Sequence, residues 1–303
     1  MKEALLYKKL ADKKVKCGLC NHRCVINEGK RGICGVRENK DGKLYSLVYA
    51  KVIAEHIDPI EKKPLYHFLP GTFSLSIATA GCNFRCLHCQ NAEISQIIPT
   101  SIQGIEGRGL STPLWGVGGK NLPPQKIVQD ALDNKCPSIS YTYTEPTVFL
   151  EYALDCMKLA KKKGLKNVWV SNGYMTKEAL DLISPYLNAT NIDLKAFTEK
   201  FYQEVCGAKL KPVLDNLIDI KKRGIHLEIT TLIIPTKNDS EEELKQIAEF
   251  IKKKVGADTP WHVSRFFPYY KMNDVPPTPV EKVYQAVEIG KRIGLKHVYA
   301  GNV

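Results

Sequence analysis

The sequence GCNFRCLHCQN at residues 81–91 contains three cysteines, Cys82, Cys86 and Cys89, within eight positions. It follows a short apolar run, SLSIAT, that predicts a buried strand. The spacing C-x3-C-x2-C lets one loop direct three sulfurs at one centre. A closed zinc site takes four protein ligands, and a four-iron cluster is normally held by four cysteines. Three thiols therefore indicate a metal centre with one position open for a reacting molecule. Zinc with His88 as its fourth ligand, or thiols without a metal, are the alternatives.

From this loop onward the chain alternates short apolar runs with amphipathic segments. Helices are predicted over 147–163 and 211–223, each followed by a glycine. Strands that alternate with helices indicate an α/β fold with a parallel sheet. The connection over 97–122 is too long for a plain loop, and we expect it to form a lid or a partner-binding loop. The seven predicted strands cover 74–79, 138–142, 167–171, 190–194, 226–234, 262–267 and 296–300.

Five polar residues close or follow the strands of this predicted sheet: Glu145, Ser171, Asn172, Asp193 and Lys195. Ligand chemistry collects at the carboxyl ends of parallel strands, so we expect these residues on one rim with the cysteine triplet. Each also has a structural alternative. Glu145 could cap the next helix, and Ser171 and Asn172 could belong to an ordinary turn. Asp193 and Lys195 could form a purely structural ion pair.

A second group of cysteines lies near the start of the chain. Cys17, Cys20, Cys24 and Cys34 have the spacing C-x2-C-x3-C-x9-C. Four thiols complete a coordination sphere, so zinc and a second, closed iron–sulfur cluster both satisfy them. Such a site can fold a small module that has little core of its own.

The composition changes near residue 72. We predict a cysteine-rich metal-binding module over 1–72, beginning with a charged helix, and a barrel domain over 73–303. Three further cysteines stand alone and are interpreted as core or incidental thiols: Cys136, Cys156 and Cys206.

The cysteine triplet makes the chain resemble the radical S-adenosylmethionine (radical SAM) enzymes. The whole chain is similar to the radical SAM component of the AmmeMemoRadiSam group, which is related to pyruvate formate-lyase activating enzyme. Further matching motifs are YTYTEPT at 141–147, NIDLKAF at 191–197, LEITTLIIPTKND at 227–239 and PWHVSRFFPYYKM at 260–272. The resemblance implies a partial (β/α)6 TIM-like barrel, and a family pattern that continues past Val303.

The resemblance also implies roles for the rim residues. The triplet at 82, 86 and 89 would hold a [4Fe-4S] cluster whose open iron binds S-adenosylmethionine. Glu145 would hold the methionine amino group, Ser171 and Asn172 the ribose, and Asp193 and Lys195 the ribose or carboxylate. His88 would lie near the adenine.

One motif departs from the family pattern. The chain has Tyr143-Thr144-Glu145 where the widespread pattern is Gly-Gly-Glu, so only the role of the glutamate carries over.

The resemblance implies reductive cleavage of S-adenosylmethionine and the need for an external electron donor. Similarity to activating enzymes suggests hydrogen abstraction from a glycine on a protein partner, and the group name implies Memo-like and AMMECR-like partners. Radical modification of a small molecule or RNA is the alternative. A different class of function is a non-catalytic zinc protein that binds nucleic acid.

The composition bounds these hypotheses. The 303 residues are 44% hydrophobic and 25% charged, which is typical of a globular protein. No apolar run approaches the roughly 18 residues of a membrane span, so we expect a cytoplasmic protein without a membrane partner, in which disulfides are disfavoured. The net charge of +12 comes from scattered lysines and favours solvated helix faces, with an acidic partner or RNA as the alternative.

Overall fold

A computed structural model describes residues 1–96 and 119–303, so most of the predicted long loop at 97–122 lies outside the described residues. The strands are β1 Lys2–Glu3, β2 Tyr7–Lys9, β3 Val15–Cys17, β4 Val25–Ile26, β5 Arg37–Lys40, β6 Lys43–Ser46, β7 Lys51–Val52, β8 Ala54–Pro59, β9 Phe73–Ala78, β10 Lys120–Asn121, β11 Ser138–Tyr141, β12 Lys166–Ser171, β13 Ala189–Asp193, β14 His226–Ile233, β15 Trp261–Arg265 and β16 Val298–Gly301.

The helices lie mainly between the strands of the main sheet. They are α1 Ala92–Ser95, α2 Pro124–Asp133, α3 Leu150–Lys162, α4 Lys177–Ile183, α5 Glu199–Phe201, α6 Leu210–Lys222, α7 Glu241–Phe250 and α8 Val280–Ile293. Short 3-10 helices cover Ile60–Lys62 and Pro146–Phe149, and α5 and α7 continue as π-helical turns. The two helices predicted over 147–163 and 211–223 are confirmed as α3, with its preceding turn, and α6.

An eight-stranded sheet forms the centre of the molecule, in the order β16-β15-β14-β13-β12-β11-β9-β8. All strands of this sheet except β8 are mutually parallel. Each of these seven strands coincides with a predicted strand to within a few residues. The apolar runs were sufficient for this prediction because both faces of a parallel sheet are covered. The result is the expected α/β barrel-like fold, with a seventh parallel strand beyond the six of the predicted (β/α)6 unit.

The start of the chain differs from its prediction. The predicted charged helix is wrong, because this segment forms β1, β2 and β3 of two small antiparallel sheets. In β3, Val15 and Cys17 are buried and Lys16 between them is exposed. This alternation with a period of two suits a strand that is covered on one face.

The predicted boundary at residue 72 also separates two paired strands. β8 pairs antiparallel with β9 over residues 54–59, so the last part of the predicted module belongs to the main sheet. One hydrophobic cluster extends from Ala4 to Val298 across both parts. The cysteine-rich segment is therefore packed into the barrel rather than standing apart from it.

The segment between β8 and β9 closes the amino-terminal end of the barrel. Ile60 and Leu65 are fully buried against Val168 and Ala189 of the main sheet. The carboxylate of Glu228 accepts hydrogen bonds from the backbone of this segment at 2.8 and 3.0 Å. The carboxyl ends of the strands thus remain as the available rim.

Candidate functional site

The cysteine triplet lies in the loop after β9, at the carboxyl end of the sheet. Cys86 is buried, whereas Cys82 and Cys89 are half-buried. The backbone N–H of Phe84 donates to the Cys82 sulfur at 3.3 Å, and Cys89 lies 3.0 Å from the Ser95 hydroxyl. The loop therefore holds three thiols at one edge of the barrel.

Among the residues that the structure describes, two buried polar atoms on this loop have no hydrogen-bond partner: Nδ2 of Asn83 and Nδ1 of His88. Buried polar groups are nearly always paired in proteins, so unpaired ones at a rim suit a site that receives a polar ligand. Burial, and then the nearby charge of Lys195, lowers the pKa of His88 to about 3. Its imidazole is neutral at pH 7.

Glu145 is the centre of a hydrogen-bond network on the same rim. Its carboxylate accepts from the Thr147 backbone at 3.1 Å, the Ser171 hydroxyl at 2.8 Å and the Asn172 backbone at 2.8 Å. Burial raises the pKa of Glu145 above its ordinary value, and these donors oppose that shift. The bond to Thr147 is the predicted helix cap, and the other two join the second and third parallel strands.

Asn172 connects this network to the cysteine loop. Its side-chain amide donates to Oδ1 of Asn83 at 2.7 Å and lies 3.9 Å from the Cys82 sulfur. The predicted turn at Ser171 and Asn172 is also present, because Gly173 follows with φ +70°. Cap and turn therefore coexist with a shared polar site.

Asp193 and Lys195 form the predicted ion pair, with 2.9 Å between Oδ2 and Nζ. After burial, the positive charge of Lys195 is the second cause of the lowered pKa of His88 on the cysteine loop. The pair therefore brings one cation and one anion to the rim.

Tyr143 occupies the position where the Gly-Gly-Glu pattern has its first glycine. Its φ is +64°, a left-handed conformation that glycine adopts without strain. The side-chain amide of Asn91 donates to its carbonyl at 2.7 Å, and its hydroxyl donates to Asp58. The ammonium of Lys63 lies 4.4 Å from the centre of its ring. These tertiary contacts stabilise Tyr143 in a left-handed backbone conformation that is more typical of glycine.

The four cysteines near the start of the chain are brought together. Cys17, Cys20, Cys24 and Cys34 line one cavity together with Arg37. The Arg37 guanidinium is buried and forms a two-pronged ion pair with Glu151 of α3, at 2.6 and 2.8 Å.

Sequence reasoning missed one thiol beside the triplet. Cys206, interpreted as an incidental core thiol, is buried against the cysteine loop, and its carbonyl accepts from the Arg85 backbone N–H at 2.8 Å. Only its residue type was visible in the sequence. Cys136 and Cys156 are buried as expected.

Comparison with protein families matches the radical SAM superfamily over residues 76–251, more than half of the 303 residues. The chain belongs to the radical SAM superfamily. An uncharacterized protein of Methanocaldococcus jannaschii is 46% identical over 303 residues, which is 100% of this chain and 86% of that protein.

Two further relatives are more distant. A pyruvate formate-lyase-activating enzyme of Clostridium pasteurianum is 22% identical over 204 residues, covering 64% of this chain and 77% of that enzyme. A solved radical SAM methyltransferase from Sphaerobacter thermophilus is similar in fold, with a TM-score of 0.53 and 10% identity over 75% of this chain and 66% of that chain.

Membership of the radical SAM superfamily makes the protein an enzyme with radical SAM chemistry, and implies a [4Fe-4S] cluster and S-adenosylmethionine. The rim fits both groups. Within residues 1–96 and 119–303, it offers three thiols on one loop, buried atoms of Asn83 and His88 without a partner, and a Glu145 carboxylate whose Oε2 accepts from a single donor. No helix in the described part of the chain is long and apolar enough to cross a bilayer.

Proposed function

We propose that Cys82, Cys86 and Cys89 hold the [4Fe-4S] cluster and so leave one iron open. The observation that carries this is the 2.7 Å hydrogen bond between Asn172 and Asn83, which joins the cysteine loop to the Glu145 network. The cluster and S-adenosylmethionine supply one-electron cleavage of a carbon–sulfur bond and a carbon radical. The protein orients the cofactor and excludes water.

The rim residues divide the binding of S-adenosylmethionine. Glu145, already ordered by its donors, accepts from the methionine amino group through the remaining capacity of its carboxylate. Ser171 and Asn172 border the ribose. The Lys195 ammonium binds the carboxylate, and Asp193 holds that ammonium in place. The neutral His88 ring borders the adenine.

We further propose that the radical is used on a protein partner, as in the activating enzymes. The relative from Clostridium pasteurianum activates, by its name, pyruvate formate-lyase. Membership of the AmmeMemoRadiSam group, with Memo-like and AMMECR-like partners, and a cytoplasmic location belong to the same proposal. The four amino-terminal cysteines hold a metal group, either zinc or a second cluster.

The arrangement of the lysines does not favour RNA as the substrate. Several of them pair with a carboxylate one helical turn away, as in Lys126–Asp130 and Lys211–Asp215. Pairs of this kind are typical of solvated helix faces. A non-catalytic zinc protein is also disfavoured, because the chain belongs to an enzyme superfamily.

Anaerobic reconstitution with iron and sulfide, followed by dithionite and S-adenosylmethionine, tests the proposal. We expect a brown protein that releases 5′-deoxyadenosine or another cleavage product. The triple variant Cys82→Ala, Cys86→Ala, Cys89→Ala should lose cleavage, while Cys136→Ala, remote from the rim, should retain it. Cleavage by the triple variant would refute the ligand assignment.

Product analysis with candidate partners tests the substrate. A carbon-centred radical on an added protein partner, detected by electron paramagnetic resonance (EPR), is the expected result. Modification of a small molecule or of RNA alone would refute the protein-partner proposal.

A further inference from the structure

A buried hydroxyl lies against one sulfur of the cysteine triplet. Oγ of Ser95 is 3.0 Å from Sγ of Cys89, which is shorter than the 3.3 Å between the Phe84 backbone nitrogen and the Cys82 sulfur. Ser95 is the last residue of α1, and only 3% of it is exposed. Its hydroxyl has no part in the proposed binding of S-adenosylmethionine.

Backbone hydrogen bonds fix the position of Ser95 relative to the cysteine loop. The backbone N–H of Ser95 donates to the carbonyl of Asn91 at 2.9 Å, which places the serine one turn after the end of the triplet. The carbonyl of Ile94 accepts from the N–H of Gly81 at 3.0 Å, so α1 is also joined to the residue before Cys82. The hydroxyl is therefore held relative to both ends of the loop.

Gln96 determines the direction of the hydroxyl hydrogen. Its side-chain Nε2 lies 3.3 Å from the carbonyl oxygen of Phe84 and 3.2 Å from Oγ of Ser95. A carbonyl oxygen can only accept, so the atom that faces it is the amide nitrogen, and an amide nitrogen can only donate. Oγ of Ser95 is therefore the acceptor toward Gln96. Its own hydrogen remains available for the sulfur of Cys89.

The charge of a metal-bound sulfur requires the same direction of donation. A cysteine that binds a metal is a thiolate, which can accept a hydrogen bond but has no hydrogen to donate. Ser95 is therefore the donor toward Cys89 when the triplet holds its cluster. Hydrogen bonds to the sulfurs are one factor that sets the reduction potential of an iron–sulfur cluster. Because reduction adds negative charge that the sulfurs share, a donor stabilises the reduced cluster more than the oxidised one.

We propose that the Ser95 hydroxyl, oriented by Gln96, donates a hydrogen bond to Cys89 and raises the reduction potential of the barrel cluster. This inference rests on the proposed function, in which the triplet holds that cluster. Ser95 is a positioning residue, because it acts through Cys89 rather than on S-adenosylmethionine. The hydrogen bond lets an external one-electron donor of a given potential reduce a larger fraction of the protein.

Redox titration of the anaerobically reconstituted protein tests the proposal. The EPR signal of the barrel cluster is identified in a fully reduced sample as the signal that changes when S-adenosylmethionine is added. Its midpoint potential is then measured without S-adenosylmethionine. Ser95→Ala should lower this potential, with a change of about tenfold in the reduction equilibrium, which is about 59 mV for a one-electron couple.

Three further variants separate the hydrogen bond from packing. Ser95→Thr keeps the hydroxyl and should restore most of the wild-type potential. Gln96→Leu keeps the hydroxyl but removes the donor that orients it, so the potential should fall by less than in Ser95→Ala. Ser138→Ala is the matched control, because this serine is also fully buried but begins β11, at the end of the sheet away from the rim. Its potential and iron content should equal those of the wild type.

The outcomes separate this inference from the proposed function. A wild-type midpoint potential in Ser95→Ala, with full iron content, would overturn the inference and leave the barrel cluster standing. An equal shift in Ser95→Thr or in Ser138→Ala would assign the change to packing and would also overturn it. If Ser95→Ala binds less iron than the wild type, Gln96→Leu provides the same test. A wild-type protein without an EPR signal that responds to S-adenosylmethionine would refute the barrel assignment itself, and this inference with it.

Discussion

Gly81 lies where the amino-terminal segment meets the cysteine loop, and replacing it with alanine perturbs that contact. Its φ is +96°, and the added Cβ would lie 2.6 Å from Cγ1 of Val36 and 2.9 Å from the carbonyl oxygen of Cys34. Gly71 provides a matched control, because its φ is +75° and a Cβ there would meet no atom of the described residues within 4 Å.

The two substitutions share one cost and differ in another. A left-handed backbone costs a non-glycine residue about 1–2 kcal/mol. Overpacking a filled site adds about 1–3 kcal/mol. Gly81→Ala should therefore destabilise the fold by about 2–5 kcal/mol, and Gly71→Ala by about 1–2 kcal/mol.

Thermal unfolding of the reconstituted protein under anaerobic conditions measures the difference. At about 2–4 °C per kcal/mol, Gly81→Ala should unfold roughly 2–12 °C below Gly71→Ala. Gly81→Ala should also slow cleavage of S-adenosylmethionine, because relief of the clash moves Cys82, while Gly71→Ala should not. Equal unfolding temperatures of the two variants would refute the close packing of Gly81 against Val36 and Cys34.

Three further predictions concern buried polar groups. Arg37→Met and Glu151→Leu should each lower the free energy of unfolding by about 3–5 kcal/mol, because each leaves a buried charge unpaired. The double variant should lose less than either single variant. Additive losses in thermal melts would contradict the pairing. Burial raises the pKa of Glu228, but hydrogen bonds from His226 and His262 outweigh this effect and lower the pKa to about 2. The Glu228 carboxylate therefore stabilises the fold fully above its unfolded pKa of about 4.3, and this stabilisation is lost as the pH falls toward 2. Glu228→Gln should therefore lower the unfolding temperature of the metal-free protein more at pH 7 than at pH 3, and a pH-independent effect would contradict this. Asn172→Ala, which removes the bond to the cysteine loop, should reduce cleavage on the order of 10–100-fold in a product assay, and an unchanged rate would argue against that bond.

The parallel strands and the rim could be predicted because their signals are local. Each apolar run is a strand by itself, and the carboxyl ends of parallel strands share one edge whatever packs around them. This was enough to bring Glu145, Ser171 and Asn172 together without knowledge of any distance. The same local signals gave the structural alternatives, and in the structure the cap and the turn are part of the shared network.

Features that depend on long-range pairing were not visible in the sequence. Arg37 and Glu151 are 114 positions apart, and nothing local marks them as partners. Cys206 reaches the triplet only because the π-helical turn at Tyr202–Cys206 packs against the loop. The initial helix was predicted from its charge, but strand pairing with distant residues, as between β1 and β6, decided its conformation.

Tyr143 has the left-handed backbone conformation that glycine adopts easily, at the position of the first glycine in the Gly-Gly-Glu motif. The backbone strain of about 1–2 kcal/mol is offset by side-chain contacts of Tyr143. Its hydroxyl donates to Asp58 and its ring lies against the Lys63 ammonium, and glycine could make neither contact. A search that demands glycine at this position would pass over this chain, whereas one based on the dihedral angle would find it. Replacing Tyr143 with glycine would restore only the first residue of the Gly-Gly-Glu motif, and it would leave the buried Lys63 without its aromatic neighbour.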